Sequence, residues 1–365
     1  MPGSSEIFLG QRLQIAREFR GLTQKQIAEQ VAASPALISL CEAGKKKDPA
    51  PDLVEAFGVV LGFEPGFFYQ PIAEFFLEQE CSFRHRRTTP ERLKNKIRAH
   101  GNLIGMVVER VKAFLSFPRL NIPKIPAVTN EEIEAAAESC RHHWDLGLDA
   151  PILHIGRVLE HAGVVIVPHV VQSTKVDAFS RSGRISIIFL NQAVQSTSRW
   201  IFDIAHECGH LVMHPGIQTG AQDTERAADR FASAFLMPRM AFAREFGMKP
   251  FSWNYIFDLK RRWRVSAQAI VRRSYDLGLI DAVTYRQAFK AMSAKGWRSK
   301  GEPHEPAFQE PEMFSAALNA LGNKVELTLE TLCGDLHFKP ATFFDVTGIP
   351  VPKPKSAPVL AFCKS

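Results

Sequence analysis

The sequence predicts an α+β protein in which a small all-α domain precedes a domain of mixed helices and strands. Short helical patterns fill residues 8–68, helix and strand signals alternate over residues 130–260, and residues 312–345 are again helical. A chain of 365 residues commonly forms about two or three domains. The expected divisions are a helical domain at 8–75, a basic helical linker at 76–129, a mixed domain at 130–300, and a linker, small helical region and loose tail at 301–365.

The composition and the first residues exclude several classes of protein. The chain is 45% apolar, but it contains no apolar run of about 18 residues or more, so neither a membrane span nor a membrane partner is predicted. Its start lacks the basic and apolar parts of a secretory signal. Its six cysteines are scattered without a C-x-x-C pair, which argues against a disulfide framework and is typical of the reducing cytoplasm. We therefore expect a cytoplasmic protein.

Basic residues are concentrated in two blocks of the chain. Residues 81–124 and residues 260–300 each contain 11 basic and 2 acidic residues, within a net charge of +7 for the whole chain. The first block includes a long helical pattern over residues 90–116. Such blocks can follow nucleic-acid phosphates or contact an acidic partner, and they can equally be solvated helix faces. Both interpretations stay open for both blocks.

Two short helices joined by a tight turn are predicted near the N-terminus. Thr23 and Gln26 fit a capping box, and Ser34 is expected to cap the second helix. Lys45–Lys47 follow that helix, where they can meet a phosphate. The pattern resembles the lambda-repressor-like (XRE-type) helix-turn-helix family over roughly residues 8–68. The spacing that carries this resemblance is that of Leu22, Gln24, Ala28, Ser34, Ile38 and Glu42.

The resemblance to XRE-type domains implies DNA binding. Pro35 and Ala36 cannot hydrogen-bond a base edge through their side chains, and residues 1–80 hold 11 acidic against 7 basic residues. The basic block 84–112 can supply the missing positive charge. The alternative is a protein-interaction or dimerisation module built on the same helices. The expected DNA contacts are Gln24, Ser34, Pro35, Ala36, Ser39, Lys45, Lys46 and Lys47.

An H-E-x-x-H run lies within the helix predicted over Ser198–Met213. Helical geometry places His206 and His210 one turn apart on one face, about 6 Å along the axis, where one tetrahedral zinc ion can bind both. Glu207 lies beside them and can take a proton from the attacking water. Cys208 falls on the apolar face of the helix and is expected in the core. The sequence therefore predicts one zinc ion per chain.

The third zinc ligand is expected on the next helix. Glu225 lies in its first turn, which Thr224 or Asp223 can cap, and it completes a His2Glu set that leaves the fourth position for water. Asp229, four residues on, can accept a hydrogen bond from the far nitrogen of a ligating histidine and fix its tautomer. His214 is about 12 Å along the axis from His206, so it is excluded as a ligand.

Three strands are predicted before the helix Ser198–Met213, which we call the metal helix. They lie at Gly163–Val167, Val176–Ser180 and Arg184–Asn191. The last of them directly precedes the helix. We interpret it as an edge strand that pairs with an extended substrate backbone, with an ordinary core strand as the alternative.

Several further segments give weaker signals. Ser82–Pro90 and Ser299–Pro311 are predicted as linkers. Leu61–Phe68 resembles Leu336–Phe344, and we treat this similarity as coincidence, with two similar helix-to-helix corners as the alternative. Residues 253–280 have a helix-turn-helix-like pattern, which we expect to pack on the central domain. Binding of nucleic acid or of a protein substrate is the alternative for that segment.

Four stretches resemble the ImmA/IrrE-type metallopeptidases: Val176–Ser180, Phe202–Val212, Glu225–Ala232 and Phe235–Pro238. The likeness covers roughly residues 130–300. It implies a compact gluzincin-like metallopeptidase domain, often fused to an XRE-type helix-turn-helix, that acts inside bacterial cells on DNA-binding repressors of stress or mobile-element genes.

Carried over by position, the resemblance makes His206, His210 and Glu225 the zinc ligands and Glu207 the catalytic base. Cys208 departs from the family pattern, in which leucine or isoleucine is usual. The implied activity is that of a zinc endopeptidase whose protein substrate is a repressor. The alternative is an XRE-type transcriptional regulator whose zinc domain senses and does not cut.

Overall fold

A computed structural model describes residues 7–71, 81–85, 90–169, 176–181, 186–191, 196–217, 221–307, 310–324 and 328–351. The fold is α+β and mostly helical, as predicted. The chain divides into two compact units. We call the first the N-terminal unit; it comprises residues 1–73, 102–114 and 316–365. We call the second the central unit; it comprises residues 74–101 and 115–315. Among the described residues, no helix is long and apolar enough to cross a membrane.

The N-terminal unit is built entirely from helices in its described parts. Its first part contains α1 (Gly10–Phe19), α2 (Gln24–Gln30), α3 (Pro35–Glu42), α4 (Pro51–Leu61) and a 3-10 helix (Pro65–Tyr69). The helix α5 (Glu91–Lys112) starts in the central unit and ends in this one. The last three helices are α15 (Met313–Lys324), of which residues from 316 belong to this unit, α16 (Leu329–Asp335) and α17 (Pro340–Thr347).

Local signals fix the positions of α2 and α3. Thr23 and Gln26 form the predicted capping box, and the Ser34 side chain accepts a hydrogen bond from the Leu37 backbone N–H at 3.2 Å. Ala32 turns the chain between the two helices with φ of +52°. The helix α1 approaches α3 so closely that a Cβ atom at Gly10 would lie 1.9 Å from the Cys41 carbonyl oxygen. Only glycine therefore allows this helix crossing.

The two similar segments of the sequence pair with each other. Each forms a corner after a helix, and Phe63 bridges Phe338 in antiparallel fashion. The Glu64 backbone N–H donates to the His337 carbonyl oxygen at 2.9 Å, and the rings of Phe63, Phe67 and Phe338 form one cluster. The two segments therefore form similar corners, which was the alternative to coincidence, and the C-terminal helices help to complete the core of the N-terminal unit.

The central unit combines four described strands with the remaining helices. Its strands are β1 (Cys81–His85), β2 (Val165–His169), β3 (Val176–Arg181) and β4 (Ile187–Asn191). Its first helices are α6 (Asn130–His143), α7 (Ile155–His161), α8 (Thr197–Met213) and α9 (Gln222–Leu236). Its later helices are α10 (Arg239–Phe246), α11 (Trp253–Trp263), α12 (Ala267–Asp276), α13 (Ala282–Ala294) and α14 (Trp297–Lys300).

The sheet has the order β1-β3-β4-β2. The strand β3 is antiparallel to both β1 and β4, whereas β2 and β4 are parallel. The prediction that Arg184–Asn191 forms an edge strand is wrong, because β4 lies between β3 and β2. The predicted linker at Ser82–Pro90 also needs correction, since its first residues belong to β1. The β-type runs that located these strands contain no information about the order of the strands in the sheet.

The helix-turn-helix-like segment 253–280 packs into the core of the central unit, as expected. Trp263 on α11 and Ile270 on α12 are buried. Arg273 on α12 is also buried, and its guanidinium donates to both carboxylate oxygens of Glu134 on α6, at 2.5 and 2.8 Å. Arg273, one of the basic residues of the block 260–300, therefore forms an ion pair inside the central unit.

The predicted linker Ser299–Pro311 is in part an ordered strap across the central unit. Glu302 accepts hydrogen bonds from the backbone N–H groups of Ala267 and Gln268 at the start of α12. Glu305 accepts from the Ser198 backbone N–H at the start of α8, at 2.9 Å. Both carboxylates also pair with Lys260, a fully buried lysine. The polar, Pro-rich composition of Ser299–Pro311 predicted a linker. The contacts of Glu302 and Glu305 were not predicted, because their partners lie far away in sequence.

Candidate metal centre

The helix α8 supplies most of the candidate centre. It begins after Ser196, whose side chain accepts from the Arg199 backbone N–H, and it matches the predicted helix within one residue. One side of α8 buries apolar residues such as Ile204 and Cys208 in the core. The other side faces α9, and His206 is completely buried there. Both faces of α8 are therefore inside the protein, which suits a helix that carries a functional site.

Three ligand atoms converge on one point between α8 and α9. The Nε2 atoms of His206 and His210 are 3.1 Å apart. Oε2 of Glu225 lies 3.3 Å from His206 Nε2, and Oε1 of Glu225 lies 3.4 Å from His210 Nε2. Ligands held about 2.0–2.1 Å from a tetrahedral zinc ion are separated by roughly 3.3 Å. The separation of the two Nε2 atoms is close to that value, and each of them lies at a similar distance from one oxygen of the Glu225 carboxylate, so the three side chains can act as ligands of one zinc ion.

Each histidine ring is held by a partner on its other nitrogen. His206 Nδ1 lies 2.9 Å from Asp229 Oδ1, and His210 Nδ1 lies 3.0 Å from His214 Nδ1. These contacts leave both Nε2 atoms directed toward Glu225. Such partners fix the tautomer and the ring orientation of metal-binding histidines. Asp229 occupies the position expected for it, whereas the role of His214 was missed.

His214 could have been found from its spacing. It follows His210 by four residues, so the two rings lie on the same face of the helix. Its distance along the axis excluded it as a metal ligand, and the structure leaves it outside the three-residue cluster. Burial, and next the proximity of His210, lower the pKa of His214 to about 4. His214 is therefore neutral near pH 7, and its Nδ1 can either donate a hydrogen bond to His210 Nδ1 or accept one from it.

Glu225 comes from the start of α9. The prediction that Thr224 or Asp223 caps this helix is wrong, because Ala221 is the N-cap and the Thr224 hydroxyl donates to the Ala221 carbonyl oxygen. Burial alone would raise the pKa of Glu225, but its contacts with His206 and His210 hold that pKa well below its usual range. The group is therefore a carboxylate near pH 7, the form that binds a metal ion.

Electrostatics keep His210 in its metal-binding form. Burial, reinforced by the nearby His206, lowers the pKa of His210, although Glu225 opposes this shift. Glu225 Oε1 is itself buried and accepts no conventional hydrogen bond from the described part of the chain. A neutral imidazole and a buried carboxylate oxygen directed at it together form the donor set that a divalent cation would satisfy.

Glu207 and Gly209 lie between the two histidines in sequence. Glu207 is completely buried in the same helix. A Cβ atom at Gly209 would lie 3.0 Å from the Phe231 ring of α9, so glycine permits the close approach of α9 that brings Glu225 to the histidines. Cys208 is fully buried, and burial followed by the nearby Cys140 raises the pKa of its thiol well above the usual value. Cys208 is therefore a core residue, as predicted.

The predicted DNA-contacting residues fall into two groups. Gln24 and Ser34 are used inside the N-terminal unit, since Gln24 Nε2 donates to Glu42 at 2.7 Å and Ser34 caps α3. Glu42 in turn pairs with Arg17 at 2.5 Å. Lys46 pairs with Asp48 at 2.9 Å. The exposed candidates are Pro35, Ala36, Ser39, Lys45 and Lys47.

The basic block 84–112 is largely the helix α5. The middle of this helix is buried, which limits the face that can carry charge outward. Arg110 pairs with Asp335 of α16, and Arg98 donates to Asn95. The exposed basic residues of α5 are Arg92, Lys96 and Lys112. The helix α5 is therefore largely buried, and its exposed basic side chains lie near its two ends.

Taken together, the described residues define a two-unit α+β protein in which a helix-turn-helix accompanies a domain with a candidate His-His-Glu metal centre. Residues 159–275 match a peptidase-family model described as the IrrE N-terminal-like domain, and residues 9–66 match a model described as a helix-turn-helix domain. Each unit of the chain thus contains a region that matches one of these two domain models, in agreement with the resemblance to XRE-type and ImmA/IrrE-type proteins. A search of curated proteins finds no match.

Proposed function

We propose that this protein is a zinc endopeptidase whose helix-turn-helix unit associates with DNA. The observation that supports the proposal most strongly is the set of three separations, from 3.1 to 3.4 Å, among the donor atoms of His206, His210 and Glu225. The peptidase-family match over the same residues agrees with it. In this proposal Glu207 is the catalytic base.

The residues of the site divide the chemistry among them. Zinc, when bound, would supply a Lewis acid that polarises a peptide carbonyl and lowers the pKa of water. His206, His210 and Glu225 would hold the ion, and Asp229 and His214 would keep the two imidazole rings in orientation. Glu207 would take a proton from the attacking water and pass it to the leaving amine. Its complete burial excludes bulk water from that transfer.

The first experiment compares new protein N-termini in the native host between wild type and Glu207→Gln. We expect new termini that depend on Glu207 and fall in one protein, while the purified variant retains zinc. Glu131→Gln, at an exposed position in the first turn of α6, is the matched control and should leave the termini unchanged. Absence of Glu207-dependent termini under several stresses would contradict the peptidase proposal.

The substrate proposed here is a DNA-binding repressor, and the site of action is therefore the cytoplasm. A helix-turn-helix unit would place the enzyme at a promoter or dock it on a similar module of its target. Cleavage of the repressor would then release genes for stress responses or mobile elements. This part of the proposal rests on the resemblance to ImmA/IrrE-type proteins and on the helix-turn-helix match.

DNA binding is tested through the exposed lysines after α3. Changing Lys45 and Lys47 together to alanine should weaken binding at low salt and reduce the slope of log affinity against log salt by about one for each phosphate that is no longer neutralised. Changing the same two residues to arginine keeps the charge and serves as the control. Binding that is absent at low salt, or that is unchanged by the alanine variant, would contradict a role for these lysines.

The second candidate function is a transcriptional regulator whose metal domain senses and does not cut. The contacts within the N-terminal unit and the clustering of His206, His210 and Glu225 are compatible with it. Glu207→Gln separates the two functions, because a sensor keeps its ligands and should keep its regulation. An enzyme should lose its regulation with zinc still bound.

A further inference from the structure

The strand β1 forms one edge of the sheet on which α8 packs. The helix α8, which carries His206 and His210, packs against β3 and β4. Because β4 is an interior strand, β3 is the strand beside α8 that has an outer edge. Among the described residues, that outer edge is covered by β1. Whatever pairs with β3 therefore lies along the strand that contacts the metal helix.

The strand β1 comes from outside the matched domain. The IrrE N-terminal-like match begins at residue 159 and includes β2, β3, β4, α8 and α9. Residues 81–85 precede it by more than two helices and belong to a segment whose composition predicted a linker. Without this segment, the matched domain would present β3 as an open edge with unpaired backbone groups.

The pairing of β1 has the form that an extended peptide takes at a sheet edge. It is antiparallel, with Cys81 opposite Arg181, Ser82 opposite Ser180 and Phe83 opposite Phe179. Main-chain hydrogen bonds supply the affinity in such strand addition, so different sequences can occupy one edge. These backbone groups of β3 are the ones that an extended peptide would need in order to add to this edge of the sheet.

The β1–β3 pairing is also irregular. The register shifts between Phe83 and His85, whereas the β2–β4 pair keeps an unbroken register over five residues. A bulge interrupts the ladder of hydrogen bonds and leaves one residue unpaired. The strand β1 is therefore the member of this sheet that can be replaced by another peptide at the smallest loss of backbone pairing.

We propose that residues 81–85 form an autoinhibitory strand, which occupies the edge of β3 that an extended substrate segment pairs with. Substrate binding then requires exchange of β1 for the substrate strand. This proposal rests on the proposed peptidase function, because an autoinhibitory strand presupposes a substrate that it excludes. The backbone pairing itself can be tested without any cleavage.

The test measures binding of a fluorescein-labelled peptide with the sequence of residues 79–87, carrying the Cys81→Ser change. Fluorescence anisotropy compares the full chain with a full-length variant in which residues 81–85 are replaced by five glycine and serine residues. We expect the peptide to bind the strand-replaced chain at least tenfold more tightly than the unaltered chain. Equal binding to both chains, or binding to neither, would overturn the proposal.

A second variant covers the case in which the strand-replaced chain does not fold. Directly opposed residues of antiparallel strands have Cα atoms about 4.5–5.5 Å apart, within the range that a disulfide spans. Arg181→Cys should therefore form a disulfide with Cys81 under mild oxidation, whereas Ser180→Cys, one residue along, should form it poorly. Oxidation of Arg181→Cys should weaken peptide binding at least tenfold relative to the reduced protein. No disulfide, or unchanged binding after oxidation, would contradict the proposal.

The same proteins separate the two hypotheses. If the peptide binds the strand-replaced chain but no Glu207-dependent termini appear in the host under several stresses, the peptidase proposal fails and the pairing of an extended peptide with β3 stands. If Glu207-dependent cleavage occurs at equal rates with and without residues 81–85, and the peptide does not bind, the strand proposal fails and the peptidase proposal stands.

Discussion

His210 Nδ1 lies 3.0 Å from His214 Nδ1, so one candidate metal ligand is held by another imidazole and not by a carboxylate. The second ligand, His206, has a carboxylate partner in Asp229 at 2.9 Å. The two ligands therefore differ in basicity. A carboxylate strengthens the imidazole that it holds, whereas a neutral imidazole mainly fixes the orientation of its partner.

We expect His214→Ala to weaken zinc binding although His214 is not a ligand. Loss of such an orienting partner commonly reduces metal affinity by about 10- to 100-fold. Competition with a chromophoric chelator at pH 7 measures the change. His161→Ala, at an exposed position on α7, should leave affinity unaltered. Equal affinity of His214→Ala and wild type would show that the contact has no influence on the metal.

Glu225→Ala should reduce zinc content far more than Asp223→Ala. Glu225 reaches both histidines, whereas Asp223 is exposed at the start of the same helix and is absent from the cluster. Removal of one of three protein ligands should leave little bound metal after dialysis, as measured by atomic emission. The His2Glu assignment would be rejected if Glu225→Ala retained one zinc ion per chain.

Phe338→Ala should destabilise the N-terminal unit by about 3–5 kcal/mol, because it empties a buried position against Phe63 and Phe67. Phe344→Ala is the matched control, since this ring is 49% exposed on the neighbouring helix. Amide hydrogen exchange across α4 reports the difference. Similar protection in both variants would mean that the C-terminal helices do not stabilise the helix-turn-helix.

Glu305→Gln should reduce the dependence of the free energy of unfolding on pH in the acidic range. Burial opposes ionisation of Glu305, but its contacts with Lys260 and Ser198 lower its pKa below the usual value of 4.5. Its stabilising contribution is therefore present above about pH 4.5 and is lost as the pH falls through the folded-state pKa. Urea unfolding should show a loss of about 1.5–3 kcal/mol near pH 6, and a smaller loss near pH 4.

The control for this experiment is Glu310→Gln, at an exposed position a few residues away. It should unfold like the wild type at both pH values. A Glu305→Gln defect that stays constant between the two pH values would indicate a packing effect without a contribution from the charge.

The site was more predictable from sequence than the architecture around it. Helical periodicity places His206 and His210 on one face of α8, and Glu225 and Asp229 on one face of α9. Glu225 required only that α9 return along α8, and the apolar faces of both helices favour that return. These inferences depend on local geometry, which the sequence encodes directly.

The contacts that could not be predicted are those between distant parts of the chain. The glutamates 302 and 305 look like solvated residues of a polar segment, and only the folded chain shows that they cap helices and neutralise Lys260. The order of strands has the same difficulty, since alternation fixes which face of a strand is buried but not its neighbour. The edge position expected for Arg184–Asn191 failed for this reason.

The pairing of Phe63 with Phe338 also constrains how the protein can be synthesised. A ribosome releases Phe63 and its aromatic neighbours long before the C-terminal helices that cover them. At typical elongation rates the delay is on the order of tens of seconds. During that interval the nascent helix-turn-helix exposes an unfinished aromatic surface, while the intervening peptidase-family domain is still being made. The protein's demand for chaperones should therefore concentrate in the period before translation reaches the last helices.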